Sequence, residues 1–543
     1  MRTYDFIVIG SGSAGAAMAG RLADSGKHRI LLIEAGPRDD SIHIRMPAAL
    51  GVPLNDDRFN WYYHTEPEPC LDGRRIYEAR GRVLGGSSSI NGMNWVRGNP
   101  GDYDNWAASG CEGWSFAEVL PYFRRSETFD KGENDFRGGS GPMRIETCQA
   151  ENPLYHAFLG GAGEYGLSYT EDHNAYRQEG CHITQRNVHG GVRWSTSRAY
   201  LDPHAGRTAL EIWTGTLVTK IRFSGRRAVG VACLRNGVEE TVEAEREVIL
   251  CGGAINSPHL LMLSGVGDAE LLRAHDIAPV VHLPAVGRHL TDHVAAPVQY
   301  RAKKEVSVAK HLGSARRLWL GLQWSLFRKG LGVTNFFEVG AFFRTGPEID
   351  IPNVQHEFVP LLGELQHGSV KLENGFQYFL SLMRPRSEGR VFLTSKDPKA
   401  HPAFVFNYLE AESDCSQAVE AVRLTREMIA QPAWDELRGA EVSPGTDIQS
   451  DTEILGWLRQ SAGTNYHPCC TCRMGDGEDS VVTTEGLVHG LEALRVVDAS
   501  IMPQIVSGNL NAPVIMMAEK IADAVLGRPR LSAVDTEYHR PER

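Results

Sequence analysis

No apolar run in this chain approaches the roughly 20 residues that a membrane-crossing helix needs, so the sequence reads as soluble or at most peripheral. A secretory signal is also missing. The N-terminus passes directly into the strand-forming run Ile7-Val8-Ile9, with no apolar signal core or cleavage site ahead of it. The expectation is a cytoplasmic protein, with peripheral contact at the inner membrane left open. Positive charge is scarce: 56 Lys and Arg stand against 67 Asp and Glu, a formal charge of −11 that argues against general nucleic-acid binding. The ten cysteines are scattered and, without a secretory context, read as reduced thiols and not as a disulfide framework. Internal repeats and low-complexity segments are absent as well. What remains is ordinary globular composition, 42% hydrophobic and 23% charged, with glycine (57 residues) somewhat abundant. A chain of 543 residues exceeds what one core normally serves, which predicts two closely joined domains.

The glycines are placed, not spread. Gly10-Ser11-Gly12-Ser13-Ala14-Gly15 follows a strand and opens a helix, within a strand–turn–helix–strand unit from Asp5 to Gly36 that ends in Glu34 and Ala35. In such a unit the first glycine makes the tight turn, the second lets a pyrophosphate approach the backbone, and the third packs helix on strand. The phosphates then lie at the positive end of the helix. Glu34 would accept hydrogen bonds from the adenosine ribose, and its charge disfavours a 2′-phosphate. Gly10, Gly12, Ser13, Ala14, Gly15, Glu34 and Ala35 are thus the expected dinucleotide contacts. The turn alone does not separate FAD from NAD.

Further strands are predicted at Leu210 to Trp213, Ala228 to Leu234 and Glu247 to Cys251, which would continue the same sheet. Aromatic-rich strands follow at Phe336 to Phe343 and Phe376 to Met383, with a helix at Ser416 to Ile429. The predicted fold class is α/β plus α+β: a discontinuous Rossmann-like domain (1–160, 200–298 and 463–530) and a substrate-binding domain on an antiparallel sheet (161–199 and 299–462). The last helix, Pro513 to Leu526, stops at Gly527, and 531–543 is expected to be a loose tail. The segment from Arg316 to Lys329 is basic and amphipathic. It could lie on anionic lipid, but tryptophan and leucine at helical spacing favour a helix packed on the core.

A second small-residue turn, Arg80-Gly81-Arg82-Val83-Leu84-Gly85-Gly86-Ser87-Ser88-Ser89-Ile90-Asn91-Gly92, resembles the glucose-methanol-choline (GMC) oxidoreductases. The resemblance continues, in family order, through Asn94 to Gly98, Gly252 to Pro258, Asn465 to Pro468, Val497 to Pro503 and Gly508 to Pro513, and is greatest to the choline dehydrogenase branch. It implies a flavoenzyme that moves a hydride from an alcohol carbon to flavin N5, giving an aldehyde. Arg82, Gly85, Gly86, Ser87, Asn91, Gly92 and Asn94 would then run beside the isoalloxazine. Val218, Asp498, Ala499, Asn509 and Ala512 would contact other parts of FAD. Some relatives attach the flavin through a histidine where Ile90 stands here, so a non-covalent FAD is expected.

Alcohol oxidation needs a base near neutral pH, and His467 within Asn465-Tyr466-His467-Pro468 matches the family's base. Outside that motif, one of 20 histidines would read as a hydrogen-bonded core residue. Asn511 matches the second active-site position, where it would donate to the developing alkoxide. Cys469, Cys470 and Cys472 are too crowded for a usual zinc site and read as buried thiols. A cationic substrate such as choline calls for aromatic faces and a carboxylate. Trp61 and Tyr466 match aromatic positions of that pocket and Glu338 its carboxylate, although pairing of Glu338 with an arginine such as Arg344 weighs equally. Glu357 stands where the branch usually has a pocket histidine. His356 cannot replace it, since a one-residue shift in a strand reverses the face. A choline-like amino alcohol is the leading substrate. An uncharged polyol, sugar or aryl alcohol is the alternative, and a lyase with a structural FAD or a non-catalytic flavin binder are remote ones. The electron acceptor would be oxygen, a quinone or a dye.

Overall fold

The computed structural model describes residues 2–366 and 369–540. Two large sheets organise it. In the first, Leu210–Trp213, Ile30–Ile33, Arg2–Ile9 and Val238–Leu250 run parallel, with Leu494–Val496 pairing parallel to the last of these. Arg227–Arg235 and Thr216–Ser224 extend the order antiparallel. Ile7, Val8, Leu31, Leu32 and Ile249 are buried on both faces of this sheet, the usual state of parallel strands covered by helices. One covering helix, Ser13–Asp24, packs with Ala16, Ala17 and Met18 fully buried, and the helix Asn511–Val525 lies against it.

The second sheet is antiparallel in the order Arg438–Ser443, Val294–Ala302, Gly375–Leu382, Val354–Val359, Val339–Phe343 and Gly180–Ile183. Gly463–Thr464 pairs with Val294–Ala302, so the chain enters the segment of His467 directly from this sheet. The strand Val294–Ala302 runs unbroken through position 298, where the first domain was expected to end. Alternation along Val354–Val359 sends neighbouring side chains to opposite faces. His356 faces Phe343 and Tyr378 and meets Thr425 Oγ1 at 2.8 Å, whereas Gln355 and Glu357 point to the other side.

Two expectations are corrected. The helix Ser314–Phe327 is not packed on the core over its apolar face: among its described side chains only Leu320 and Trp324 are buried, while Leu318, Trp319, Leu326 and Phe327 are 64–72% exposed. Its buried stripe is one residue wide and seats on Gly191 and Gly332, and no other element covers the remaining face among the described residues. The tail is not loose up to residue 540. Leu531 N donates to Tyr122 Oη, Val534 N to Ala117 O and His539 N to Tyr176 O, and Tyr538 packs edge-on to Phe116 while bonding Asp104. Residues 541–543 lie outside the described part. No helix among the described residues is long and apolar enough to cross a membrane.

Candidate active site

The two glycine turns meet. Gly86 has φ +54°, and a Cβ there would stand 2.5 Å from Gly12 Cα, so only glycine lets the two loops close on each other. Gly10 and Gly15 pack as tightly: a Cβ on Gly15 would lie 1.8 Å from the Gly10 carbonyl oxygen. The helix Ser13–Asp24 starts at Gly12 with no side-chain cap, leaving its first N–H groups for a ligand. Above it runs a cavity of about 790 Å³, extending to His467 and Asn509.

Polar groups along this cavity are set before any ligand arrives. Glu34 accepts from Ser11 N (3.0 Å), Ser11 Oγ (2.6 Å) and Gly36 N (2.9 Å), and burial still pushes its carboxyl above the usual range. Asp498 accepts from Gly253 N, Ser257 Oγ and Ser500 N, and is raised for the same reason. Asn511 Oδ1 accepts from Ser13 Oγ at 2.7 Å, which leaves its buried Nδ2 without a protein partner at the cavity wall. A glycine cradle, an uncapped helix start and an unpaired amide donor are what a dinucleotide pyrophosphate requires, so these residues fit FAD.

Gly10, Gly12, Ser13, Ala14, Glu34, Ala35, Arg82, Gly86, Ser87, Asn91, Gly92, Asn94, Val218, Asp498, Ala499 and Asn509 all line the cavity. Gly15, Gly85 and Ala512 do not reach its wall. Gly15 is spent on the contact with Gly10, Gly85 forms the turn ahead of the short helix Gly86–Ser89, and Ala512 is fully buried in the core.

At the other end the chain builds a proton acceptor. His467 N donates to Asp292 Oδ1 at 2.7 Å, and Asp292 Oδ2 accepts from Thr464 Oγ1 at 2.6 Å, which fixes the histidine backbone. His467 Nδ1 meets His293 Nδ1 at 3.0 Å, and His293 Nε2 meets the Val506 carbonyl at 3.1 Å. A carbonyl only accepts, so His293 carries its proton on Nε2 and accepts through Nδ1. His467 must then donate from Nδ1, which leaves the lone pair of Nε2 facing the cavity. Asn509 Nδ2 lies 3.2 Å from that nitrogen. Burial, then His293 and Arg80, lower the His467 pKa well below its ordinary value, so the ring is neutral and ready to take a proton.

Two amides, Asn509 and the expected second catalytic residue Asn511, line the cavity. The amide beside His467 is Asn509, and Asn511 is two residues further on, turned to Ser13 at the dinucleotide turn. Trp61, Tyr466 and Glu357 line the cavity, with Trp61 stacked on Tyr63 (5.9 Å, 3°) and the Arg82 guanidinium over the Trp61 ring at 5.3 Å. Glu338 does not line the cavity. Its oxygens accept from Ala150 N (2.9 Å) and Thr334 Oγ1 (2.6 Å) and face Arg186 at 3.5 Å, so its charge is answered internally. Arg344, the partner considered from sequence, pairs with Glu179. Cys469, Cys470 and Cys472 are buried under the loop. His293 and Gln355 were not legible in the sequence, because neither belongs to a glycine motif and their partners lie 174 and 154 residues away.

The chain resembles known proteins in both sequence and fold. GMC oxidoreductase family models match residues 4–295 and 385–518. The chain is 46% identical over 542 residues to the oxygen-dependent choline dehydrogenase of Yersinia pseudotuberculosis (serotype IB, strain PB1/+), covering 98% of this chain and 96% of that one. It is 47% identical over 544 residues to the enzyme of the same name from Pseudomonas fluorescens (strain SBW25), covering 99% and 96%. Among solved structures it is similar to pyridoxine 4-oxidase from Mesorbium loti (TM-score 0.88, 28% identity, 97% and 99% coverage). It is also similar to a formate oxidase of Aspergillus oryzae RIB40 (TM-score 0.91, 25% identity, 97% and 98% coverage). The chain belongs to the GMC oxidoreductase family and is an FAD-dependent enzyme that oxidises CH–OH donors.

Proposed function

We propose that this enzyme oxidises the primary hydroxyl of a choline-like amino alcohol to an aldehyde, with His467 as base and Asn509 as the donor to the alcohol oxygen. The observation that carries the reading is the forced tautomer of His467, whose Nε2 lone pair faces a cavity flanked by Trp61, Tyr466 and Glu357. Nε2 takes the hydroxyl proton, and the Asn509 amide hydrogen, now facing the ring, turns to the oxygen as negative charge develops on it. Bound FAD supplies the acceptor for the hydride leaving the α-carbon. Asn511, Glu34 and Asp498 hold the dinucleotide without taking part in proton transfer. Ile90 offers no group for a covalent flavin link, which supports a dissociable FAD. Relatives named for choline and for oxygen support the substrate class and oxygen as an acceptor, with a quinone or dye as the other options.

An anaerobic absorbance spectrum before and after choline tests this. Bleaching of the flavin is the expected result, and recovery on admitting air measures the use of oxygen. A flavin that ignores amino alcohols but bleaches with a sugar or benzyl alcohol would replace the substrate class, and one bleached by no alcohol would support a lyase or a non-catalytic flavin protein.

A second reading concerns location. We infer a cytoplasmic enzyme that touches anionic lipid through the helix Ser314–Phe327, because exposed Leu318, Trp319, Leu322, Leu326 and Phe327 sit between Arg316, Arg317 and Arg328, Lys329. Co-sedimentation with phosphatidylglycerol vesicles but not phosphatidylcholine vesicles, lost in Trp319→Glu, is expected. Equal recovery with neither vesicle would overturn the lipid contact.

A further inference from the structure

Glu357 is held in an unusual way for a carboxylate. It is 8% exposed, and one oxygen, Oε1, accepts from both Asn94 Nδ2 (2.6 Å) and Asn509 Nδ2 (3.1 Å). Among the described residues no hydrogen bond reaches Oε2 and no Lys, Arg or His is paired with the group. The residue lines the cavity within one hydrogen bond of the amide that faces His467. That amide is itself oriented from the same strand, where Gln355 Nε2 bonds Asn509 Oδ1 at 3.1 Å. Two neutral amides hold one oxygen and leave the other at the cavity wall, open to a cation or a donor from a ligand.

Resting on the amino-alcohol reading above, we propose that Glu357 is a specificity-determining residue that selects ammonium alcohols carrying an N–H over quaternary ones. A protonated tertiary amine presents both a positive charge and one directed N–H, which can complete the coordination of Oε2. A quaternary ammonium presents the charge behind methyl groups and leaves that oxygen without a hydrogen. Charge-assisted hydrogen bonds are about twice as strong as neutral ones. Trp61, Tyr466 and Phe379 line the cavity as aromatic faces open to the N-methyl groups of either compound, so the N–H is the one directed polar contact that separates them. N,N-dimethylethanolamine and choline form the discriminating pair, because they differ only in that hydrogen against a methyl group.

The test is anaerobic flavin reduction by ethanolamine, N-methylethanolamine, N,N-dimethylethanolamine and choline, in the wild-type holoenzyme and in Glu357→Gln. The wild type is expected to favour N,N-dimethylethanolamine over choline by roughly ten- to a hundredfold in reduction efficiency. Glu357→Gln is expected to compress that ratio to near unity. Flavin content and the unfolding midpoint establish that the variant is folded, and the wild-type series stands as a test without it. The preference should also fade as pH rises through the substrate's own ammonium pKa, while choline is unaffected. If choline is reduced at least as fast as the dimethyl amine in the wild type, the selection is overturned and the amino-alcohol function stands. Failure of all four compounds, with reduction by a neutral alcohol, would overturn both.

Discussion

The two ends of the cavity are built by different means. At the dinucleotide end, backbone groups and small residues from a few contiguous turns do the binding, as where Gly86 closes on Gly12. At the catalytic end, four side chains from distant segments, His293, Glu357, His467 and Asn509, meet through hydrogen bonds of 3.0 to 3.2 Å. The first end is fixed by sterics at Gly10, Gly15 and Gly86, where an added Cβ would meet backbone atoms at 1.8 to 2.5 Å. The second is fixed by a chain of donors and acceptors, in which each tautomer and amide orientation depends on the next.

The separation of the two ends is tested most severely at His467. His467→Ala should lower the rate of anaerobic flavin reduction by about 10²- to 10⁴-fold while the flavin-to-protein ratio stays unchanged. Parallel loss of flavin would show that the two ends are not separable. The paired amides give the next largest effect. Asn509→Ala is expected to lower the reduction rate by roughly 10²-fold with flavin retained. Asn511→Ala should instead weaken flavin retention, with the rate per bound flavin close to wild type, and the reverse pattern would restore Asn511 as the catalytic amide.

A pH profile probes the same division. Burial and the neighbouring His293 and Arg80 disfavour the imidazolium of His467, so its neutral form persists as pH falls. The acid limb of kcat/KM should therefore lie below the ordinary histidine value of about 6.5, and a limb at or above it would contradict the buried, neutral base. Glu338→Gln gives the smallest effect on activity. It weakens the pairing with Arg186 outside the cavity, so the unfolding midpoint should fall by an amount consistent with about 1–3 kcal/mol and kcat should not change. A fall in kcat would return Glu338 to the site.

The dinucleotide end was legible because its requirements are local: Gly10, Gly12, Glu34 and Asp498 lie where the motifs put them. The catalytic end was legible only in part. His467 sits in a motif, but the choice between Asn509 and Asn511 depends on how the helix Asn511–Val525 begins, and the string Gly508-Asn509-Leu510-Asn511 does not distinguish them. For Glu338 the choice between a ligand and an arginine such as Arg344 stayed open because Arg186, its partner, comes from a strand 152 residues earlier. The helix Ser314–Phe327 was misjudged for a related reason. Helical spacing shows that Leu318, Leu322 and Leu326 share a face, yet whether anything covers that face is a property of the assembled fold.

The strand Val354–Val359 also bears on how such an enzyme can diversify. Two of its odd-numbered positions, Gln355 and Glu357, bond the Asn509 amide, while His356 is committed to the aromatic interior. One short segment thereby supplies both side chains that hold the Asn509 amide, apart from the loop of His467 itself. Exchanges at those alternate sites would therefore reach the Asn509 amide as well as the cavity wall, which ties any change of wall chemistry to the geometry beside His467.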